Sequence, residues 1–123
     1  MAYCWHSIPG VQKFGYYLGN ANADGPYVEL GFKPALLIFK SSAGTQNWQT
    51  YDNVLNLWNP TNKRLRVDLA NGQDTGNGID MLASGFKLRS ADGADNANNS
   101  GYIYMAWAYN PFHNLYGAQA AAF

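Results

Sequence analysis

The sequence is short of charge. Lysine and arginine total 8, aspartate and glutamate total 8, and charged residues make up only 13% of the 123 residues, against about 25% in a typical soluble domain. With a net charge of zero, the chain has no basic surface for a nucleic acid or an anionic membrane, so we expect neither as a partner.

Two kinds of protein can carry so few charges. One is a monomer whose surface polarity comes from Asn, Ser, Thr and Gln, and the other is a subunit whose uncharged surface is covered in an assembly. Permanent interfaces are poor in charge and rich in aromatic residues, which make up 15% of this chain. We therefore favour the subunit.

Cysteine and long apolar runs are also scarce. Cys4 is the only cysteine, which excludes an internal disulfide and predicts a buried, inert thiol. No run reaches the roughly 18 apolar residues of a membrane span, and the N-terminus lacks the basic start and apolar stretch of a signal peptide. We expect a protein made in the cytoplasm without a signal peptide and without membrane insertion.

Catalytic and metal-binding motifs are absent from the sequence. Glu29 is the sole glutamate, and His6 and His113 lie near opposite ends of the chain with no metal-ligand spacing. No GxSxG motif is present. We expect no enzymatic activity, no cofactor and no metal, with one alternative left open. That alternative is a loose calcium site formed by Asp92, Asp95 and Asn96.

What the sequence does contain is a series of short apolar or alternating runs separated by Gly and Asn clusters. This spacing is typical of an all-β protein and not of β-α-β units. It predicts a single-domain antiparallel β-sandwich over residues 1–112, followed by a C-terminal tail over residues 113–123. The predicted strands cover residues 3–7, 13–18, 27–30, 35–41, 48–52, 65–69, 79–82, 86–89 and 102–109.

The most informative segment is residues 101–112, GYIYMAWAYNPF. Its two alternating faces are both apolar, one with Ile103, Met105, Trp107 and Tyr109 and the other with Tyr102, Tyr104, Ala106 and Ala108. Such a strand is expected at the centre of a sheet and buried on both sides, so two layers of protein must cover it. Residues 35–40 have the same character and are a second candidate for the sheet centre.

Two segments have apolar side chains that need a partner. The irregular connection over residues 54–63 contains Leu55, Leu57 and Trp58, and the uncharged C-terminal tail contains Leu115, Tyr116 and Phe123. These residues are costly to leave in water. The loop is expected to pack on its own domain or to dock on a neighbouring subunit, and the tail is expected either to fray or to dock on an adjacent subunit. All six residues are therefore candidate interface contacts.

Three loops are rich in Gly, Asn and Asp, over residues 19–25, 71–78 and 91–101. Turn chemistry explains them without a ligand. Aromatic residues beside such loops can also form a platform on which a sugar stacks, because Tyr and Trp combine an apolar face with a polar tip. The candidate contacts for a glycan are Trp48, Tyr51 and Tyr27.

The chain resembles a small β-domain that recurs in virion proteins of tailed bacteriophages, in tail-fibre-like chains and uncharacterised structural proteins. The resemblance covers Trp5 to Phe112 and rests on WHSIPGVQKFGYYLGNANADGPYVELGFKPALLIFK, WQTYDN, DTGNGIDMLASGFKLR and NNSGYIYMAWAYNPF, in that order. It implies a non-enzymatic β-sandwich or jelly-roll module on a virus particle, used in homotrimers or similar rings. It supplies no catalytic or ligand-binding residues.

The expected function is therefore that of a structural subunit on the exterior of a phage virion. It would decorate or cement the capsid, or form part of a tail appendage, by shape-complementary binding to copies of itself and to other virion proteins. The alternative is a receptor-binding or glycan-binding domain at the tip of a tail fibre, with a host-surface glycan as partner.

Overall fold

A computed structural model of the chain describes residues 1–113 and 119–120. In chain order its elements are β1 (Gln12–Leu18), β2 (Tyr27–Glu29), β3 (Pro34–Ser41), β4 (Gln49–Asp52), β5 (Thr61–Arg64), β6 (Asp74–Leu82), β7 (Gly85–Leu88), α1 (Gly93–Asn96), β8 (Gly101–Ala108), β9 (Phe112–His113) and β10 (Gln119–Ala120). Eight of these strands form two four-stranded antiparallel sheets packed against each other. The predicted antiparallel β-sandwich is confirmed.

The first sheet has the strand order β1-β8-β3-β4 and the second has the order β2-β7-β6-β5. The two sheets meet at one edge, where the main chains of Thr50 and Leu65 exchange two hydrogen bonds of 3.0 Å. At the opposite edge the ammonium of Lys13 on β1 donates to the main-chain carbonyl of Glu29 on β2 at 2.8 Å. Both edges of the sandwich are thus tied across the sheets.

The core lies between the sheets and is largely aromatic. Because side chains alternate along each strand, every second residue points inward. The rings of Tyr17 and Tyr102 stack with centroids 4.9 Å apart, and those of Phe39 and Tyr51 stack at 5.9 Å. The fully buried apolar side chains of this core are Leu37, Phe39, Tyr51, Ile79, Phe86, Leu88, Tyr102 and Ala106.

Strand β8 is a central strand, as predicted, with β1 on one side and β3 on the other. The prediction that it is buried on both faces is wrong for the single chain. Tyr102, Tyr104, Ala106 and Ala108 face the core and are buried, whereas Ile103 is 45% exposed and Met105 and Trp107 are partly exposed. The sandwich has only two layers, so nothing in the described chain fully covers the outer face of the first sheet.

Two predicted strands do not form. Residues 3–7 make no strand, because this N-terminal arm runs over the surface and contributes only a bridge from Ile8 to Gln12. Residues 65–69 form no strand either, and the preceding residues Thr61–Arg64 pair with β6 instead. Cys4 lies on the exposed arm, which corrects the prediction of a buried thiol.

Strand β9 pairs with β10, with Phe112 opposite Ala120 and His113 opposite Gln119. The predicted tail contacts Leu115, Tyr116 and Phe123 lie outside the described residues. Within residues 1–113 and 119–120, no helix has the length and apolar character needed to cross a lipid bilayer.

Candidate functional site

The first candidate site is the outer face of the first sheet. Cross-strand pairing places Phe14 opposite Met105 and Tyr16 opposite Ile103, so side chains from neighbouring strands meet on this side. We call this surface the aromatic face. It consists of the outward side chains of β1, β8 and β3, namely Gln12, Phe14, Tyr16, Leu18, Ile103, Met105, Trp107, Leu36, Ile38 and Lys40.

Lys40 is the only charged residue among these outward side chains. Tyr16 is 56% exposed and Leu18 is 54% exposed, although both are apolar enough to be favoured in a core. A contiguous apolar surface of this kind marks an interaction site more often than an isolated exposed side chain does.

The outer side of the second sheet, in contrast, carries several charged side chains. Lys87 and Asp80 lie opposite each other there, and Lys87 binds the carboxylate of Asp24 at 2.7 Å. Arg89 pairs with Asp80 and lies 3.7 Å from Asp24. The charges on the outer surfaces of the sandwich are therefore concentrated on the second sheet.

An aromatic cluster occupies one end of the aromatic face. Trp5 from the N-terminal arm packs on Phe14, with ring centroids 5.8 Å apart, and meets Trp107 edge-on at 6.3 Å. Trp5 is still 58% exposed. The arm thus extends the aromatic face instead of sealing it.

The second candidate site is a cleft of about 350 Å³ at one end of the sandwich. It lies where β3 begins and β4, β6 and β8 end. We call it the Trp58 cleft; its lining residues are Lys33, Asn53, Val54, Asn56, Leu57, Trp58, Asn59, Thr61, Met81 and Tyr109.

The loop that forms one wall of the Trp58 cleft is anchored by its own polar side chains. The Asn59 amide donates to the main-chain carbonyl of Met81 and accepts from its N–H, both at 2.9 Å. The Asn56 side chain accepts from the N–H groups of Asn62 and Lys63 and donates to the Lys63 carbonyl. The loop is fixed, so its exposed side chains are held outward.

The predicted interface residues of this loop differ in exposure. Trp58 is 82% exposed and Leu57 is 79% exposed, whereas Leu55 is half-buried. Val54, which the sequence analysis did not single out as a contact, is as exposed as Leu57. The structure thus brings Leu57 and Trp58 to the surface beside the cleft, and their contact with a neighbouring subunit stays a prediction.

The predicted glycan contacts do not form one platform. Tyr51 is fully buried in the core, which contradicts its assignment as a contact residue. The Tyr27 hydroxyl is engaged with Glu29 at 2.7 Å and Ser84 at 2.6 Å on the second sheet. Trp48 lies on the first sheet, where the Lys40 ammonium is 5.7 Å from its ring centroid.

The Asn-rich loops bind each other. Asn96 is fully buried, and its amide donates to Asn20 Oδ1, to the Asn22 carbonyl and to the Ser90 carbonyl at 2.7–2.9 Å. Its Oδ1 accepts from the Asn20 N–H at 2.8 Å. Loop-to-loop hydrogen bonding accounts for these residues, as turn chemistry predicts.

The open calcium alternative finds no support in this arrangement. Asp92 caps α1, accepting from the Ala94 N–H at 2.8 Å, and the Asn96 amide is committed to the loops. In the part of the chain that the structure describes, no three His, Cys, Asp or Glu side chains gather as a metal site. Asp95 is instead buried apart from the surface.

Asp95 is one of several polar side chains buried inside the sandwich. Neither of its carboxylate oxygens has a hydrogen-bond partner among the described residues, and the hydroxyl of the buried Tyr51 has none there either. Burial raises the pKa of Asp95 from 3.8 to about 6, although the nearby Asn77 amide and the Arg64 guanidinium oppose the shift. Arg64 itself binds Asp74 at 2.9 Å.

Glu29, the sole glutamate, has a lowered pKa. Its carboxylate accepts from the Tyr27 hydroxyl at 2.7 Å and from the Gly31 N–H at 2.9 Å, with a longer contact of 3.3 Å from Ser84. These hydrogen bonds, the one from Tyr27 above all, stabilise the ionised form. The shift is opposite to that of a carboxyl group acting as a general acid.

The family described as Domain of unknown function (DUF7483) matches the chain over residues 1–111. No curated protein and no solved structure matches the chain.

Proposed function

The chain belongs to the family Domain of unknown function (DUF7483), and from this premise we propose that it is a non-enzymatic structural subunit on the exterior of a phage virion. It decorates the capsid or forms part of a tail appendage. It acts by binding copies of itself, and through them or beside them other virion proteins. The virion location rests on the sequence resemblance, and self-association rests on the aromatic face.

The observation that carries self-association is the exposure of the outward side chains of β8, the central strand. Ile103, Met105 and Trp107 project from the middle of the first sheet, yet they keep contact with water. Apolar surface contributes roughly 25 cal/mol per Å² when it is removed from water. A second copy covering this face would supply the layer that the β8 sequence requires.

The dimensions of the face suit such a contact. Three strands about 4.8 Å apart and seven residues with a rise of about 3.3 Å give a surface of roughly 14 by 23 Å. A standard protein interface removes about 800 Å² of accessible surface from each partner. The aromatic face together with Trp5 therefore provides the central part of a stable interface.

The charge distribution supports an apolar self-contact. Lys40 is the one charged side chain of the aromatic face, so two copies can meet there without burying many charges. Burying unpaired charges would cost several kcal/mol each. The charged second sheet remains free to face solvent or a polar partner.

The test compares two variants by analytical ultracentrifugation. Ile103→Glu introduces a charge at the centre of the aromatic face, opposite Lys40 in the register, so a cross-strand ion pair supports the single chain. Val67→Glu introduces the same charge at an exposed aliphatic residue outside the face. We expect wild type and Val67→Glu to form the same oligomer and Ile103→Glu to associate at least about tenfold more weakly.

The measured mass of the oligomer gives the number of chains in it. The resemblance implies a homotrimer or a similar ring. Immunogold labelling of purified particles of the encoding phage tests the location. A wild-type chain that stays monomeric at high concentration, and that is missing from those particles, would overturn the proposal.

A further inference from the structure

Two exposed aromatic side chains border the Trp58 cleft. Trp58 is 82% exposed and Tyr109 is 53% exposed. The Tyr109 N–H donates to the Lys33 carbonyl at 2.8 Å, which holds these two residues side by side at the ends of β8 and β3. The loop with Trp58 is anchored to β6 through Asn59 and Met81.

A mobile loop would fold its tryptophan against the protein to gain the free energy of burial. This loop cannot do so easily, because the side chains of Asn56 and Asn59 are both tied to the main chain of the adjacent strands. The backbone that carries Trp58 is thus ordered in advance, which lowers the entropic cost of binding a ligand.

The polar groups of the cleft limit the chemistry of that ligand. Among the described residues that line the cleft, Lys33 is the only charged one, and none is a carboxylate. Its ammonium lies 5.2 Å from the Tyr109 ring centroid and is exposed. Asn53 also lines the cleft, and its side-chain amide makes no hydrogen bond to another described residue.

We propose that the Trp58 cleft binds a saccharide unit that bears a carboxylate. The electron-rich face of Trp58 stacks on the C–H groups of the sugar ring, because those hydrogens are positively polarised. The Lys33 ammonium pairs with the carboxylate, and the Asn53 amide hydrogen-bonds a ring hydroxyl. The volume of about 350 Å³ lies at the lower end of small-molecule sites, roughly 300–1,000 Å³, which suits one or two sugar units.

This assignment is independent of the aromatic face. It uses residues other than the predicted glycan contacts Trp48, Tyr51 and Tyr27, and it gives Trp58 a ligand contact in place of the predicted subunit contact. Trp48, which is half-buried, lies beside a lysine elsewhere, next to β4 of the first sheet. The chain therefore contains its own matched control.

The test measures binding to the whole chain by isothermal titration calorimetry and by NMR line shifts. The acidic probes are sialyllactose, tetragalacturonate, an alginate tetramer and a hyaluronan tetramer, and the neutral probes are lactose and maltotetraose. A tetraglutamate peptide provides carboxylates without a sugar ring. We expect saturable binding of at least one acidic saccharide at millimolar concentration or below. The neutral sugars, which lack the carboxylate that pairs with the exposed Lys33, should bind about two- to fivefold more weakly, and the peptide, which lacks the sugar ring, at least about tenfold more weakly.

The variants assign the binding to the cleft. Trp58→Ala should weaken the acidic saccharide at least about tenfold, and Lys33→Met should weaken it about two- to fivefold while leaving neutral sugars unchanged. Trp48→Ala and Lys40→Met, which alter the other lysine–tryptophan pair, should change neither affinity. Light scattering should show the wild-type oligomer for Trp58→Ala.

Three results would overturn the proposal. The first is no saturable binding of any acidic probe up to about 10 mM. The second is equal binding of the tetraglutamate peptide, which would make the site a receptor for acidic peptides. The third is dissociation of the oligomer in Trp58→Ala, which would make Trp58 a subunit contact.

Discussion

Phe14 and Trp107 meet edge to face on the outer side of the first sheet, with ring centroids 5.8 Å apart and ring planes at 89°. Phe14 lies on the edge strand β1 and Trp107 on the central strand β8. The pair lies in a face whose single charge is Lys40. The proposed association through this face would therefore be driven by apolar burial and not by ion pairing.

The first prediction is that self-association is insensitive to salt. Interactions between exposed charges weaken as ionic strength rises, whereas burial of apolar surface does not depend on such charges. We expect the dissociation constant of the oligomer to change by less than about threefold between 0.05 and 0.5 M sodium chloride. Sedimentation equilibrium measures it. A steep loss of affinity with salt would indicate that the charged second sheet forms the interface.

The second prediction concerns pH and Asp95. The folded-state pKa of about 6 is higher than the ordinary 3.8, so the folded chain keeps this proton at pH values where the unfolded chain has lost it. The free energy of unfolding should therefore fall as pH rises from about 4 to about 6. Above that range it should stay lower by the full cost of ionising Asp95 in the folded chain. Asp95→Asn, which cannot ionise, should be more stable than wild type by about 2–3 kcal/mol at pH 8.

The measurement is urea unfolding of both proteins at several pH values between 4 and 8. Taking the difference between the two free energies of unfolding at each pH cancels the contributions of other carboxyl groups, such as Asp24 and Asp74, whose pKa values are lowered. The difference should be small near pH 4 and grow toward pH 6. A constant difference over the whole range would mean that Asp95 ionises at the same pH in both states.

The third prediction is that Asn96 is a main structural element of the loop end. Asn96→Ala removes four hydrogen bonds and leaves the buried carbonyl of Ser90 without that partner. We expect a loss of about 2–4 kcal/mol in the free energy of unfolding. Asn98→Ala, at an exposed residue of the same loop, should change it by less than about 0.5 kcal/mol. Equal effects of the two variants would contradict the structural role of Asn96.

The sequence predicted the centre of the fold well because its signal was strong there. Strands β8 and β3 are apolar at nearly every residue, and they are the two inner strands of the first sheet. The sequence did not show which face of β3 stays open: Leu37 and Phe39 are buried, whereas Leu36 and Ile38 are only partly buried.

The errors lie where tertiary contacts override local preference. Thr61–Arg64 reads TNKR and has little strand character, yet it pairs with β6 because Arg64 lies opposite Asp74 and binds it. Gly76 makes this pairing close, since a Cβ there would lie 2.5 Å from the Arg64 side chain and 2.6 Å from the Tyr51 hydroxyl. No local sequence pattern predicts such a contact.

The candidate sites were predictable only in part. The low charge indicated an uncharged surface, but its location depends on pairings such as Phe14 with Met105, which are distant in sequence. Trp58 stood out because a loop seldom exposes tryptophan. Lys33, Asn53 and Tyr109 did not stand out, because they meet Trp58 only where several strand ends converge.

The last prediction connects the loop anchor with the cleft. Asn59 exchanges two hydrogen bonds of 2.9 Å with the main chain of Met81, and this contact fixes the loop before any ligand arrives. Asn59→Ala leaves the Met81 N–H without that partner, so the free energy of unfolding should fall by about 1–3 kcal/mol. Because the loop must then be ordered on binding, affinity for the acidic saccharide should also fall about two- to tenfold.

Asn62→Ala is the control, since Asn62 lies on β5 directly after this loop and does not line the Trp58 cleft. It should retain the wild-type affinity. Calorimetric titration and urea unfolding of both variants measure the two effects. If Asn59→Ala lost stability but kept full affinity, Trp58 would reach its binding position without the Met81 anchor, and the argument from a preformed cleft would fail.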